Sequence, residues 1–140
     1  MKRRVILNEK IIEAKLSYII TGLCFKVHKE LGRFSREKQY SDKFEELLKK
    51  SKIKYHRENG IVDRTNSVLS GNIVDFLVEN KIVVEIKAKK FLTKDDYYQV
   101  QRYLQSSGLE LGIIFNFRNT YLNPKRILNH ALFKDKKSQD

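Results

Sequence analysis

The sequence predicts a three-layer α/β/α domain, and three observations lead to this fold class. Apolar residues spaced three and four apart over residues 12–31 predict a long amphipathic helix. Two short runs rich in β-branched residues, 73–78 and 82–86, predict paired strands. A further helix and a nearly all-apolar run at 111–117 predict a parallel strand–helix–strand crossover. We therefore expect the order α-α-β-β-β-α-β-α.

Two helices precede the predicted sheet. Asn8 is a suitable N-cap for the first helix, whose apolar stripe continues until Gly32 supplies a stop. Ser35 is a suitable cap for the second helix, which ends in the lysine-rich segment 49–52, where cations favour a helix C-terminus. The inward-facing residues of the second helix are Tyr40, Phe44, Leu47 and Leu48.

Turn and capping residues mark the next elements. Asn80 lies in the turn between the two strands that begin at residues 73 and 82. Thr93 and Asp96 form an approximate capping box at the start of the third helix, and Gly108 closes that helix.

The C-terminal part of the domain is predicted to be helical. Asn123 and Pro124 supply a cap and a first-turn proline for a last helix, whose apolar residues are Ile127, Leu128, Ala131 and Leu132. We expect a single domain over residues 1–133 and a polar, frayed tail over residues 134–140.

The chain of 140 residues is strongly basic. It has 29 Lys and Arg residues against 17 Asp and Glu residues, which gives a formal net charge of +12. Such a surplus favours a polyanionic partner, most often nucleic acid. Because 41% of the residues are hydrophobic and only one is Pro, the composition excludes collagen-like and wholly disordered chains.

The sequence predicts neither a membrane span nor a signal peptide. The charge-free stretch 16–25 is too short to cross a bilayer, and no long apolar segment follows the basic start at residues 1–7. Cys24 is the only cysteine, which excludes an internal disulfide and a Cys-based zinc cluster. We therefore expect a cytoplasmic protein without a membrane partner.

Charged residues interrupt two strands that are otherwise apolar. Glu85 and Lys87 alternate with apolar residues and so share one face of their strand, and Asp75 interrupts the preceding strand in the same way. A hairpin with the three-residue loop 79–81 would place Asp75 opposite Glu85. A two-residue loop would send the carboxylates to opposite faces, so a shared site requires the first register or a bulge.

Two carboxylates that face each other across paired strands repel unless a cation lies between them. Mg²⁺ or Mn²⁺ fits this position, because these ions take oxygen ligands, retain water and bind phosphate oxygens. Lys87 could then orient or deprotonate a metal-activated water, or stabilise charge on the attacked phosphate. The alternative is a solvated sheet face on which Glu85 and Lys87 form an ordinary charge pair.

Polar residues on two helices extend this hypothesis. Glu37 shares the inward stripe of the second helix, although a role as dipole partner near the helix N-terminus would also explain it. Gln99 and Tyr103 are four residues apart and share one face of the third helix. The alternative for this pair is an amphipathic boundary at which the Tyr103 ring is packed.

These residues resemble those of a known family. Asp75, the string Glu85-Ile86-Lys87 and the helical Gln99-x-x-x-Tyr103 resemble the PD-(D/E)XK nuclease superfamily, and the last feature resembles its RecB-like branch. Residues 16–128 more closely resemble the small prokaryotic proteins called GxxExxY. The matching segments are 16–22, 27–32, Glu37-x-x-Tyr40, Asp75, 84–88, 92–93, 103–104, 108–109 and 114–117.

The resemblance implies a restriction-endonuclease-like αβββαβ core with an extra N-terminal helix and a C-terminal helix. It also implies that Asp75, Glu85 and the carbonyl of Ile86 bind Mg²⁺, for which Mn²⁺ would substitute. Lys87 would then serve the attacking water.

The resemblance assigns two further roles. Glu37 would contribute to the metal or its water, and Gln99 would position the substrate or Lys87. Phe34 stands where the family motif opens with glycine, so the loop before Glu37 need not keep the family's conformation.

The expected activity is metal-dependent hydrolysis of phosphodiester bonds in nucleic acid, with DNA favoured. Alternatives are a non-catalytic nucleic-acid-binding module on the same fold and a structural role in which the charge is incidental. We expect a homodimer or a partner protein to supply specificity. The expected substrate contacts are Tyr103, Lys89, Lys90 and Arg102, and Arg118, Lys125 and Arg126 extend the basic patch.

Overall fold

The structure is a computed structural model that describes residues 13–62 and 68–133, with the backbone alone for 59–62 and 68–72. The predicted Asn8 cap and the tail 134–140 lie outside the described residues. The elements in chain order are α1 (Ala14–Leu31), α2 (Glu37–Lys50), β1 (Tyr55–Val62), β2 (Val68–Val78), β3 (Ile82–Lys87), α3 (Lys94–Ser107), β4 (Leu111–Asn116) and β5 (Lys125–Leu128).

The five strands form one mixed sheet in the order β1-β2-β3-β4-β5. Strands β3 and β4 are parallel and are joined through α3, which confirms the predicted crossover, while the other neighbouring pairs are antiparallel. Val78 pairs with Ile82, so the β2–β3 hairpin has the predicted three-residue loop. Glu79 and Asn80 in this loop both adopt a positive φ of 55°.

Helices cover both faces of the sheet, and a separate apolar cluster lies under each face. The cluster under α1 and α2 contains Cys24, which is fully buried as a small core residue. The cluster under α3 consists of Val74, Val83, Val100, Tyr103, Leu104, Ile114 and Ile127. Every residue of β4 is buried, as expected of a strand packed on both faces. The predicted three-layer α/β/α architecture is therefore confirmed.

The predicted last helix from Pro124 is wrong. Lys125–Leu128 instead forms β5, which pairs antiparallel with β4. Ile127 packs into the cluster under α3 and Leu128 packs against the opposite cluster, so the two apolar neighbours alternate between faces as strand residues do. Helical structure begins only at residue 130 and continues to residue 133, where the description ends.

The start of α2 also differs from the prediction. The helix begins at Glu37, and the Ser35 hydroxyl donates a hydrogen bond back to the Leu31 carbonyl at 3.2 Å. The Tyr40 hydroxyl accepts from the Ser35 N–H at 3.1 Å and donates to the Gly32 carbonyl at 2.6 Å. Gly32 has a φ of +74°, which glycine adopts without strain. These bonds fix the α1–α2 turn.

No described helix is long and apolar enough to cross a bilayer.

Candidate active site

Asp75 of β2 and Glu85 of β3 lie opposite each other in the register of these two strands. Their side chains form hydrogen bonds across the strand pair. The Asp75 N–H donates to Glu85 Oε1 at 2.6 Å, and the Ile86 N–H donates to Asp75 Oδ2 at 2.7 Å. Each carboxylate therefore accepts a backbone hydrogen bond from the opposite strand. The predicted convergence of the two carboxylates is confirmed.

Burial makes this pair electrostatically unfavourable. Glu85 is only 2% exposed. Burial, followed by the negative charge of Asp75, raises the pKa of Glu85 to about 8. Burial also raises the pKa of Asp75, although the Ile86 N–H and the charge of Lys87 oppose this shift. A buried carboxylate beside a half-buried one favours a bound cation, which would relieve both the desolvation and the repulsion.

Lys87 lies beside this pair and is also close to the start of α3. Its Nζ is 3.6 Å from Glu85 Oε2 and 3.8 Å from Asp96 Oδ1. Burial alone lowers the pKa of Lys87, but the carboxylates of Glu85 and Asp96 outweigh burial and raise the pKa above its ordinary value. The Lys87 carbonyl accepts a hydrogen bond from the Phe117 N–H at 2.8 Å, which ties the end of β3 to the segment after β4.

Asp96 is a buried carboxylate that connects the α3 N-terminus to two lysines. Its Oδ2 accepts from the Thr93 N–H at 2.7 Å, which confirms the predicted capping box. The same oxygen lies 3.0 Å from Lys89 Nζ. Burial raises the pKa of Asp96, but the hydrogen bonds from Thr93 and Lys89 outweigh it and lower the pKa below its ordinary value. The ammonium group of Lys89 is therefore paired with the Asp96 carboxylate of the same domain.

Two more carboxylates border the site on the side of α2 and β1. Glu37 is exposed, and its Oε2 accepts from the Ala88 N–H at 3.1 Å, immediately after Lys87. Glu58 of β1 has a φ of +54° and lies between the residues that pair with Phe76 and Val74, opposite Asp75. A cavity of about 260 Å³ opens here, lined by Glu37, Lys38, Ser41, Arg57, Glu58 and Asp75.

The donor set fits Mg²⁺ better than a metal that needs a complete protein cage. Among residues 13–62 and 68–133, no three His, Cys, Asp or Glu side chains converge closely enough to form such a cage. Mg²⁺ is commonly held by one or two carboxylates, and water and phosphate oxygens complete its shell. Asp75 Oδ2 and Glu85 Oε1 each accept a backbone hydrogen bond. Asp75 Oδ1 and Glu85 Oε2 are therefore the carboxylate oxygens that remain to bind a metal.

Three predicted site residues on α3 do not join the cluster. Tyr103 is only 3% exposed and packs in the cluster under α3, which favours the packed alternative over a substrate contact. The Gln99 Nε2 donates to the Ile73 carbonyl at 2.9 Å, two residues before Asp75, and so braces β2 instead of contacting Lys87. Arg102 is exposed on the solvent side of α3.

The sequence reasoning missed Glu58 and the structural role of Asn116. Asn116 is 2% exposed, and its side-chain amide both donates to the Lys89 carbonyl at 2.8 Å and accepts from the Lys89 N–H at 3.1 Å. These bonds hold the segment after β3 against the end of β4. A buried Asn that ends an apolar strand is the signal that could have indicated such a clamp.

One family comparison bears on this geometry. A family model described as the PD-(D/E)XK nuclease superfamily matches residues 14–127, which is most of the chain. A search of curated proteins finds no match.

Proposed function

Because the chain belongs to the PD-(D/E)XK nuclease superfamily, we propose that it is a Mg²⁺-dependent nuclease that hydrolyses phosphodiester bonds, with DNA as the favoured substrate. The observation that carries this proposal is the pair of reciprocally bonded carboxylates, Asp75 and Glu85, with Lys87 Nζ 3.6 Å from Glu85. The narrower resemblance to the GxxExxY proteins stays a prediction.

Asp75, Glu85 and the carbonyl of Ile86 are the groups we propose to hold the metal. Mg²⁺ supplies Lewis-acid polarisation of the scissile phosphate and acidifies water, and Mn²⁺ provides the same chemistry. The two carboxylates present oxygen donors, which these hard cations prefer. The net charge of +12 supports a polyanionic substrate, because it raises the local concentration of nucleic acid by electrostatic attraction.

Lys87 orients the attacking water and stabilises the negative charge that develops on the phosphate. Its ammonium is held between Glu85 and Asp96, and its side chain is only 17% exposed, so its position is restricted. A donor fixed in advance stabilises developing charge without reorganisation during the reaction. Glu37, bonded to Ala88, assists from the neighbouring helix at the mouth of the cavity.

The test is cleavage of labelled single- and double-stranded DNA and RNA with Mg²⁺, with Mn²⁺ and with EDTA. We compare the wild type with Asp75→Ala and Lys87→Ala. The matched control is Lys81→Ala, since Lys81 is an exposed lysine just before β3. Its six-residue separation from Lys87 corresponds to about 20 Å along an extended strand.

We expect metal-dependent cleavage that both site variants lose by at least about a hundredfold and that the control variant retains. Circular dichroism and thermal melts would establish that the inactive variants are folded. A folded wild type that binds these polymers without cutting them, and variants that bind equally well, would refute the catalytic proposal in favour of a binding module.

A further inference from the structure

Phe34 is an exposed aromatic ring with two arginines close to it. It is 74% exposed, although it lies in the α1–α2 turn that hydrogen bonds fix in place. The Cζ atom of Arg33 is 4.7 Å from the Phe34 ring centroid, and the Cζ atom of Arg118 is 5.6 Å from it. Arg33 Nε also donates to the Arg118 carbonyl at 2.8 Å. We call Arg33, Phe34 and Arg118 the Phe34 platform.

The two guanidinium groups of this platform carry uncompensated charge. In the part of the chain that the structure describes, neither Arg33 nor Arg118 forms an ion pair, whereas Lys89 and Arg57 are both paired with carboxylates. The Nε of Arg118 is buried without a hydrogen-bond partner, the one such side-chain atom among the described residues. Guanidinium groups that have no carboxylate partner are suited to bind phosphate oxygens through their terminal N–H groups.

The platform adjoins the proposed catalytic residues. Phe34 lies three residues before Glu37, which bonds to the Ala88 N–H. Arg118 follows Phe117, whose N–H bonds to the Lys87 carbonyl. Both connections lead to the carboxyl end of β3, where Lys87 projects. A ligand on the platform would therefore lie on the same side of the fold as the carboxyl end of β3, where Lys87 is.

A second exposed ring lies in the segment that follows β3. Phe91 is 71% exposed and follows Lys90, whose Nζ is 5.7 Å from the Phe91 ring centroid. Exposed aromatic rings interleaved with cations are the combination that binds unpaired nucleotides, since bases stack on the rings while the phosphates meet the charges.

We propose that the Phe34 platform stacks an unpaired base, so that the substrate is single-stranded nucleic acid. This inference rests on the proposed nuclease function, whose substrate class it names. In a duplex each base is already stacked between its neighbours, so an exposed phenyl ring gains a partner only from an unpaired base. The arginines bind the flanking phosphates, which makes the platform indifferent to sequence.

Binding without cleavage tests this proposal. In EDTA, we measure the affinity of the wild type for an oligonucleotide that contains 2-aminopurine, whose fluorescence is quenched by stacking, in single-stranded DNA, single-stranded RNA and duplex forms. Phe34→Ala should weaken single-strand binding by about 5- to 150-fold, the range for one stacked base, and remove the added quenching. Phe34→Trp should restore both.

Tyr18→Ala is the matched control, because Tyr18 is an 81% exposed aromatic residue on α1. At 1.5 Å per residue, Tyr18 lies about 20 Å along the helix from Gly32, the residue at which the turn that carries Phe34 begins. The loss of its ring should therefore leave binding unchanged. The DNA and RNA arms show which sugar the platform accepts. Phe34 is exposed, so its truncation should leave the thermal midpoint near that of the wild type.

The inference is overturned if Phe34→Ala binds single strands as tightly as the wild type, or if the wild type binds duplex as tightly as single strands. Failure of the nuclease proposal would look different. A wild type that quenches 2-aminopurine in a Phe34-dependent manner, yet cleaves nothing with Mg²⁺ or Mn²⁺, would retain the platform and lose only the catalytic function.

Discussion

Gly112 of β4 lies against α3 so closely that a single added methyl group should destabilise the fold. A Cβ atom at this position would come within 2.5 Å of Val100 Cγ1 and within 3.6 Å of Val83 Cβ. Carbon atoms pack favourably at about 3.5–4.0 Å, so Gly112→Ala forces α3 and β4 apart by about 1 Å or displaces the Val100 side chain. Overpacking of this kind costs about 1–3 kcal/mol.

Urea denaturation and thermal melts measure this effect, and we expect Gly112→Ala to lower Tm by roughly 3–12 °C. The matched variant is Val100→Ala, which removes the obstructing methyl group and costs about 1–3 kcal/mol alone. In the double variant the new methyl group occupies part of the vacated space. Its destabilisation should therefore be smaller than the sum of the single changes, by about 1 kcal/mol or more.

Two results would refute this reasoning. If Gly112→Ala is as stable as the wild type, α3 does not pack on β4 as closely as the structure shows. If the single effects simply add, Val100 is not the group that the new methyl meets. A change in the urea m-value would indicate an altered compactness of the unfolded or native state, or a loss of two-state unfolding.

Three other expectations concern charge, metal and the thiol. The pKa of Asp96 is lowered in the fold, so its carboxylate stabilises the protein above pH 3.8, its ordinary pKa, and this contribution disappears as the pH falls through the folded value. Asp96→Ala should thus cost about 1–3 kcal/mol in urea denaturation at pH 7, and this deficit should shrink as the pH is lowered below 3.8; a deficit that does not change with pH would contradict this. Mg²⁺ at a hundred times its Kd should stabilise the wild type by about 2.7 kcal/mol in thermal melts and leave Asp75→Ala unchanged; equal stabilisation of both would place the metal elsewhere. Cys24 is fully buried, and burial raises its pKa, so iodoacetamide at pH 8 should modify it only after urea unfolds the chain.

The placement of Asp75 and Glu85 on the β2–β3 hairpin was predictable because the local sequence determines it. Once the loop 79–81 fixes which residues pair, the period of two places Asp75 and Glu85 opposite each other. The capping box at Thr93 and the stop at Gly108 were predictable for the same reason, since each depends on residues within one turn.

Features that depend on distant parts of the chain were not predictable. Ile127 and Leu128 suit a helix as well as a strand. They form β5 because this segment pairs with the edge of β4, a contact that the local sequence does not show. The spacing of Gln99 and Tyr103 shows that they share a face, but burial under the sheet depends on where α3 packs. Arg118 meets Phe34 only because the turns after α1 and β4 converge.

The reciprocal bonds of Asp75 and Glu85 also determine which inactive variant best captures a complex for crystallography. Each of these carboxylates accepts a backbone N–H from the neighbouring strand, so shorter replacements such as Ala would remove a bond of the β2–β3 hairpin as well as the chemistry. Lys87 instead contacts two carboxylates, at 3.6 and 3.8 Å. Lys87→Met keeps the aliphatic stem and the strand bonds intact. It is therefore the substitution with which to trap uncleaved substrate in a native-like site.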